Sequence, residues 1–139
     1  MRESTRTRRL TGIFLALKRA MHERLKRSGA IEPASMPRLA VLGLVKQHGE
    51  ATMKDVAGFL CVAPPSATAL VDAVAGAGLL TRRQDPKDRR SVRLRLTPKG
   101  ERALATGMRR VGAVMTRMFG RLDAREQDQL IALLEKLLV

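Results

Sequence analysis

Residues 82–100 read RRQDPKDRRSVRLRLTPKG, and two different patterns overlap in this stretch. Eight of the nineteen residues are Lys or Arg, which is typical of a basic arm that contacts a polyanion. Val92, Leu94 and Leu96 nevertheless alternate with polar residues, and this period of two predicts a strand with one buried face. Thr97 and Pro98 then form a helix-start signal. The segment therefore predicts a strand anchored on a domain, with a basic part that projects from it.

A second strand precedes this one. Residues 79–83 have strand character, and residues 84–91 are rich in turn formers, so we expect a β-hairpin whose connection spans residues 84–91. Asp88, Arg89 and Arg90 fall within that connection. We expect them at an exposed basic tip.

Two short helices are predicted before the hairpin. Thr52 and Asp55 have the spacing of a capping box and start a helix over residues 53–60, while Pro64 and Pro65 start the next helix, over residues 64–77. Only residues 61–63 connect them. Helices joined by so short a turn must cross, which is the helix-turn-helix arrangement that presents its second helix to a DNA major groove. Cys61 lies in this turn with no basic neighbour, and we expect a small packed side chain rather than a redox sensor.

Longer helices flank this region. Apolar residues recur at helical spacing over residues 4–28, where basic residues occupy the other face. A helix capped by Ser35 runs to Gly49, a long helix follows from Pro98 to about Met118, and a last apolar helix runs from Asp123 to the chain end. The predicted fold class is mainly α with a small β-hairpin wing.

Composition narrows the function. The 139 residues suit one domain, and 27 basic against 13 acidic side chains give a net charge of +14, which favours nucleic acid as the partner. One Cys and two His exclude an intramolecular disulfide and the multi-cysteine zinc patterns. No nucleophile and base constellation or Gly-rich phosphate loop is present, so we expect neither an enzyme nor a cofactor. Without a cleavage site or a long apolar run, the expected compartment is the cytoplasm.

Residues 88–100 resemble the wing of the MarR family of transcriptional regulators. The family pattern is Asp-x-Arg, three residues, Leu-x-Leu-Thr, two residues, Gly, and it is filled by Asp88, Arg90, Leu94, Leu96, Thr97 and Gly100. The resemblance implies one MarR-like domain over residues 1–139, in which residues 35–97 form a winged helix-turn-helix lobe. It also implies a homodimer built through residues 4–28 and 98–139, with two winged helices placed over a pseudo-palindromic operator.

The resemblance assigns roles to individual residues. Helix 64–77 would enter the major groove and wing 84–91 the minor groove, where Arg90 would insert, Arg89 would contact phosphate and Asp88 could direct Arg90 through a paired hydrogen bond. The helix has no Arg, Lys, Asn or Gln for a bidentate base contact, so much of the specificity would be indirect. Its candidate DNA-binding residues are Pro65, Ser66, Thr68 and Ala69. Arg38 and Lys54, each in the first turn of a helix, could contact phosphate or simply be solvated.

Two functions remain open. The first is a sequence-specific dimeric repressor that a small molecule could release from DNA, and the second is a general architectural or RNA-associated basic protein whose charge is its whole function. Family members bind aromatic acids, but this chain has no Trp or Tyr. The methionines at positions 108, 115 and 118 could line a pocket, although core or dimer packing is the more common role of such a stripe.

Overall fold

The computed structural model describes residues 3–29 and 35–138, with the side chain of Ser35 left out. The loop predicted for residues 30–34 and the predicted Ser35 cap therefore lie outside the described part of the chain. The elements follow in the order α1 (Thr5–Arg27), α2 (Ser35–His48), β1 (Ala51–Thr52), α3 (Met53–Leu60), α4 (Pro64–Gly76), β2 (Leu80–Asp85), β3 (Asp88–Leu96), α5 (Pro98–Phe119) and α6 (Ala124–Glu135). The predicted helix order is confirmed.

The chain divides into two compact units, one formed by residues 31–110 and the other by residues 1–30 and 111–139. We call them the winged unit and the helical unit. The winged unit packs α2, α3, α4 and the start of α5 against a three-stranded antiparallel sheet of order β1-β3-β2. Its largest fully buried side chains are Val41, Val45, Val56, Val71, Val74 and Leu94. Leu94 is thus the core residue of the alternating strand, as predicted.

The turn between α3 and α4 has the predicted crossing. The Thr52 hydroxyl accepts the backbone N–H of Asp55 at 3.1 Å, and the Asp55 carboxylate accepts that of Thr52 at 2.8 Å, which completes the capping box that starts α3. At the other end Cys61 adopts a left-handed conformation with φ 53°. The axes of α3 and α4 are bent by 110° at this break. This is the angle range of helix-turn-helix pairs.

No single helix in the described part of the chain is long and apolar enough to cross a membrane. Only α3 and α4 taken together meet the criteria of length and composition, and they form the bent pair just described.

The strands correct two expectations. The hairpin connection is Pro86-Lys87 alone, rather than residues 84–91, because the Asp85 carboxylate accepts the backbone N–H of Lys87 at 3.0 Å and closes a tight turn. The two-residue strand β1 was not predicted. It pairs Ala51 with Leu94 and Thr52 with Arg93, and it is too short to show any period in the sequence.

The first half of α5 groups with the winged unit, although we expected the lobe to end at residue 97. Leu104 is buried in the core of this unit. At Gly100 a Cβ atom would lie 2.0 Å from the carbonyl oxygen of Leu79, so only glycine permits the start of α5 to approach the chain leaving α4. The final Gly of the family pattern therefore serves packing.

The helical unit combines α1, the end of α5 and α6. Leu25, Val114 and Met118 are buried, so Met118 packs in the core. Asp123 and Glu126 form a second capping box, which starts α6 at the predicted position. Large apolar side chains on α1 and near the end of the chain stay exposed, among them Leu10 at 67% and Leu138 at 86%. Such faces are typical of helices that pack against a partner.

Candidate nucleic-acid interface

The exposed face of α4 is the first component of the interface. Ala67, Val71 and Val74 of this helix are buried, which leaves Ser66, Thr68, Ala69 and Asp72 exposed. Pro64 and Pro65 occupy the first turn and have no N–H, while the N–H of Ser66 donates to the carbonyl of Ala63 at 3.0 Å. Unlike most helix starts, this one offers no free backbone donors to a phosphate. Any contact to DNA must come from side chains.

Those side chains are less polar than the sequence indicates. Thr68 donates its hydroxyl proton to the carbonyl of Pro64 at 3.0 Å, so this proton is already used within the helix, while the side chain stays exposed. The Ser66 hydroxyl makes no hydrogen bond with the residues that the structure describes. Ser66 is therefore the free donor on this face, with Pro65, Ala69 and the Thr68 methyl as apolar contacts.

Asp72 is the acidic residue on the exposed face of α4. Its carboxylate forms an ion pair with Arg82 of β2, which links the helix to the hairpin. An unpaired carboxylate here would repel phosphate, and the ion pair with Arg82 reduces that repulsion. Arg82 thus compensates the one acidic charge on the exposed face of α4.

Two more arginines of the hairpin pair with carboxylates. Arg93 donates two hydrogen bonds to the Asp85 carboxylate, each at 3.3 Å. The Arg95 guanidinium nitrogen Nη2 lies 2.9 Å from the Glu50 carboxylate oxygen Oε1. The Lys87 N–H and, more weakly, the Arg93 guanidinium hold the pKa of Asp85 below its usual range. The structure thus gives Arg93 and Arg95 carboxylate partners.

Four cations of the hairpin remain unpaired. Arg83, Lys87, Arg89 and Arg90 are exposed, and none forms an ion pair with a carboxylate within residues 3–29 and 35–138. Their charge is uncompensated within the described chain. The basic side chains of residues 82–95 thus form two sets, which the sequence alone does not distinguish. The internal set pairs with carboxylates and consists of Arg82, Arg93 and Arg95, and the free set consists of Arg83, Lys87, Arg89 and Arg90.

Arg89 and Arg90 lie in an irregularity of β3 and not at the hairpin tip. Gln84 pairs with Val92 but Asp85 pairs with Asp88, so residues 89–91 have no register partner on β2. The Gln84 side-chain amide donates to the carbonyl of Arg89 at 3.3 Å, which fixes this bulge. Bulges turn side chains away from the regular sheet faces and recur beside functional sites.

The expected role of Asp88 also needs correction. Its carboxylate accepts the backbone N–H of Arg90 at 3.0 Å rather than a hydrogen bond from the guanidinium. The Asp-x-Arg spacing permits this contact because an Asp side chain readily reaches the N–H two residues ahead. Asp88 therefore orients the backbone of the bulge, and the Arg90 guanidinium stays free of it.

The remaining predicted residues are exposed. Arg38 in the first turn of α2 and Lys54 in the first turn of α3 make no ion pair with residues that the structure describes. Cys61 is exposed rather than packed, and its thiol lies 3.6 Å from the carbonyl of Gly58. Its left-handed backbone explains why many such turns have Gly at this position.

Comparisons with known proteins agree with this geometry. Residues 34–92 match the model of the MarR family. The chain is 37% identical over 97 residues to YkoM, an HTH-type transcriptional regulator of Bacillus subtilis, in a segment that covers 70% of this chain and 63% of YkoM. It is 28% identical to the HTH-type transcriptional repressor MdtR of Bacillus subtilis, over 92% of this chain and 80% of MdtR.

A solved structure shows the same fold. A MarR family protein from Bacillus stearothermophilus is 25% identical, with coverage of 94% of this chain and 88% of that one and a TM-score of 0.72. The family match covers the helix-turn-helix and most of the wing, where the exposed α4 face and the free arginines lie. Residues 34–92 match the MarR family, and the chain has the winged helix-turn-helix fold of MarR family transcriptional regulators.

Proposed function

We propose that the protein is a repressor that binds a pseudo-palindromic operator as a homodimer. The observation that carries the proposal is a combination within one unit. The exposed α4 face has no unpaired carboxylate, and four cations of the adjoining hairpin have no carboxylate partner in the part of the chain that the structure describes. Double-stranded DNA matches this pattern because a groove-reading helix needs a basic element that holds the flanking backbone.

The major-groove role falls to α4. Ser66 can donate to a base edge or a phosphate, and Ala69 and the Thr68 methyl suit the methyl group of thymine. With so few polar contacts, direct readout discriminates over few base pairs. Sequence-dependent DNA shape then supplies a large part of the specificity.

The minor-groove role falls to the bulge of β3. Arg89 and Arg90 pair with no carboxylate of residues 3–29 and 35–138, and a narrow A·T-rich minor groove attracts arginine through its enhanced negative potential. We place Arg90 in the groove and Arg89 on phosphate. Lys54 and Arg38 contact the phosphate backbone.

Dimer formation is supported by the exposed apolar side chains of the helical unit. Leu10, Ile13 and Phe14 of α1 expose 67%, 55% and 62% of their surface, and Leu137 and Leu138 at the chain end expose 76% and 86%. A soluble monomer rarely leaves so many large side chains unpaired. A two-fold dimer covers them and sets the recognition helices about 34 Å apart, one turn of DNA.

A small-molecule effector completes the proposal. Beside the reading helix lies a groove of about 500 Å³ lined by Met36, Pro37, Ala40, Leu60, Val62, Ser66 and Leu70. Its lining holds no charged side chain, so it suits an uncharged apolar molecule. A molecule bound there would contact Ser66 and disturb the exposed face of α4. Repression is also the role of the relative MdtR, an HTH-type transcriptional repressor.

Binding to selected and scrambled duplexes tests the proposal. Genomic fragments retained by the purified protein define the site, and fluorescence anisotropy then measures affinity for that site and for a scrambled duplex at 50, 100 and 200 mM salt. We expect the selected site to bind at least about 10³-fold more tightly at physiological salt. Equal affinity for both duplexes at every salt concentration would instead support the architectural or RNA-associated alternative.

A further inference from the structure

The helical unit contains a pocket surrounded by arginines. It has a volume of about 330 Å³ and lies between the end of α1 and the end of α5. Its lining is Arg24, Arg27, Ser28, Val114, Arg117 and Arg121. Four arginine side chains therefore border one small space, in the unit that does not contain the helix-turn-helix.

No carboxylate of the described chain neutralises these four arginines. Glu23 could reach Arg27 one turn later, but it pairs with Arg19 at 3.2 Å. Asp123 and Glu126 are occupied by the capping box of α6. Four like charges around one pocket repel one another, and a bound anion would reduce that repulsion.

Helix dipoles explain only part of this cluster. Arg24 and Arg27 in the last turn of α1, and Arg117 in the last turn of α5, do face the negative ends of their helices. Arg121 lies beyond the end of α5, so no such interaction accounts for it.

The chemistry of the lining indicates the ligand class. Guanidinium groups bind carboxylate and phosphate through two parallel hydrogen bonds, which a lysine ammonium cannot form. Arginines from two different helices can grip separate oxyanion groups of one molecule. Val114 supplies an apolar surface for a short carbon skeleton between those groups.

We infer that this pocket binds a small polyanion, a metabolite with two or more carboxylate or phosphate groups. The site is independent of operator recognition, and it gives the protein a place to sense a charged molecule. It differs in unit and in chemistry from the uncharged groove beside α4.

Isothermal titration calorimetry of the full-length protein, without DNA and in chloride buffer, tests the inference with citrate and pyrophosphate as probes. The variant R24Q/R117Q removes one arginine from each helix, and R6Q/R9Q is the control with the same loss of charge at exposed positions of α1. We expect wild-type protein and R6Q/R9Q to bind at least one probe with the same affinity. R24Q/R117Q should bind it about 10- to 100-fold more weakly, as the loss of two charge-assisted contacts predicts.

If circular dichroism shows that R24Q/R117Q misfolds, the second variant R27Q/R121Q keeps the test decisive. R27Q/R121Q should show the same weakening of probe binding. The inference is overturned if wild-type protein binds neither probe, or if R6Q/R9Q weakens binding as much as the pocket variants. It is also overturned if R24Q/R117Q weakens operator binding, with no probe added, as much as R90A does. That result would assign the arginines to DNA phosphate.

Discussion

Replacing single arginines of the hairpin by alanine should separate the free set from the internal set. R90A removes an exposed cation of the β3 bulge that has no carboxylate partner among the described residues, whereas R95A removes one that pairs with Glu50 at 2.9 Å. Both variants lose the same formal charge. Any difference between them therefore reports position and pairing rather than net charge.

The magnitudes follow from that pairing. A groove-inserted arginine contributes about 1 to 3 kcal/mol, so R90A should weaken operator binding roughly 5- to 150-fold for each protomer. For R89A, a phosphate contact, the slope of log affinity against log salt should fall by about 1 for each protomer. R95A loses an exposed ion pair worth about 0 to 1 kcal/mol of folding stability, and its operator affinity should change little.

Fluorescence anisotropy with the operator duplex at several salt concentrations measures both quantities, and size-exclusion chromatography checks that each variant keeps the oligomeric state of the wild-type protein. Equal weakening by R90A and R95A would refute the reasoning, because long-range charge alone would then explain binding. Unchanged affinity in R90A would remove Arg90 from the interface.

Three further predictions concern the scaffold. G100A should lower the free energy of unfolding, measured by urea denaturation, by about 1 to 3 kcal/mol, because its Cβ would meet the Leu79 carbonyl. G43A, which adds a Cβ in open space within α2, should raise the free energy of unfolding by up to about 1 kcal/mol. Equal effects of the two substitutions would contradict the close approach at Gly100. D55A should lower the free energy of unfolding by about 0.3 to 1 kcal/mol near pH 7. The capping box holds the pKa of Asp55 below its usual 3.8. The difference in stability between wild type and D55A should therefore be complete above pH 3.8 and vanish as the pH falls through the lowered pKa. A stability difference that persists at pH 2 would contradict the charged cap. L10D/F14D places charges on the exposed apolar face of α1 and should shift the protein from dimer to monomer in light scattering. R8D, on the other face of α1, should leave the dimer intact. A dimeric L10D/F14D would exclude the face of Leu10 and Phe14 from the interface.

Much of the fold follows from local sequence signals. The period of Val92, Leu94 and Leu96 identifies β3, and the Thr52 and Asp55 spacing marks the start of α3, because both signals depend on residues close together in the chain. The crossing of α3 and α4 follows from the short turn between them. These features depend little on distant contacts.

The details of the site depend on contacts that local patterns do not encode. The bulge at Arg89 and Arg90 results from where the turn closes and how Gln84 reaches across the hairpin. Which arginines are free depends on Asp72, Asp85 and Glu50, two of which lie outside the hairpin. The Asx-type reach of Asp88 to the Arg90 N–H was detectable from the two-residue spacing. Pairing between distant residues was not.

Hydroxyl-radical footprinting on the selected operator tests the central claim most directly, because it maps each protected sugar along both strands. A dimer with α4 in successive major grooves and the β3 bulge in the flanking minor grooves predicts protection with two-fold symmetry, in half-sites about one turn apart. R90A should lose the outer, minor-groove protection and keep the centre. Continuous protection without symmetry, or the same pattern on a scrambled duplex, would contradict operator recognition by this winged helix.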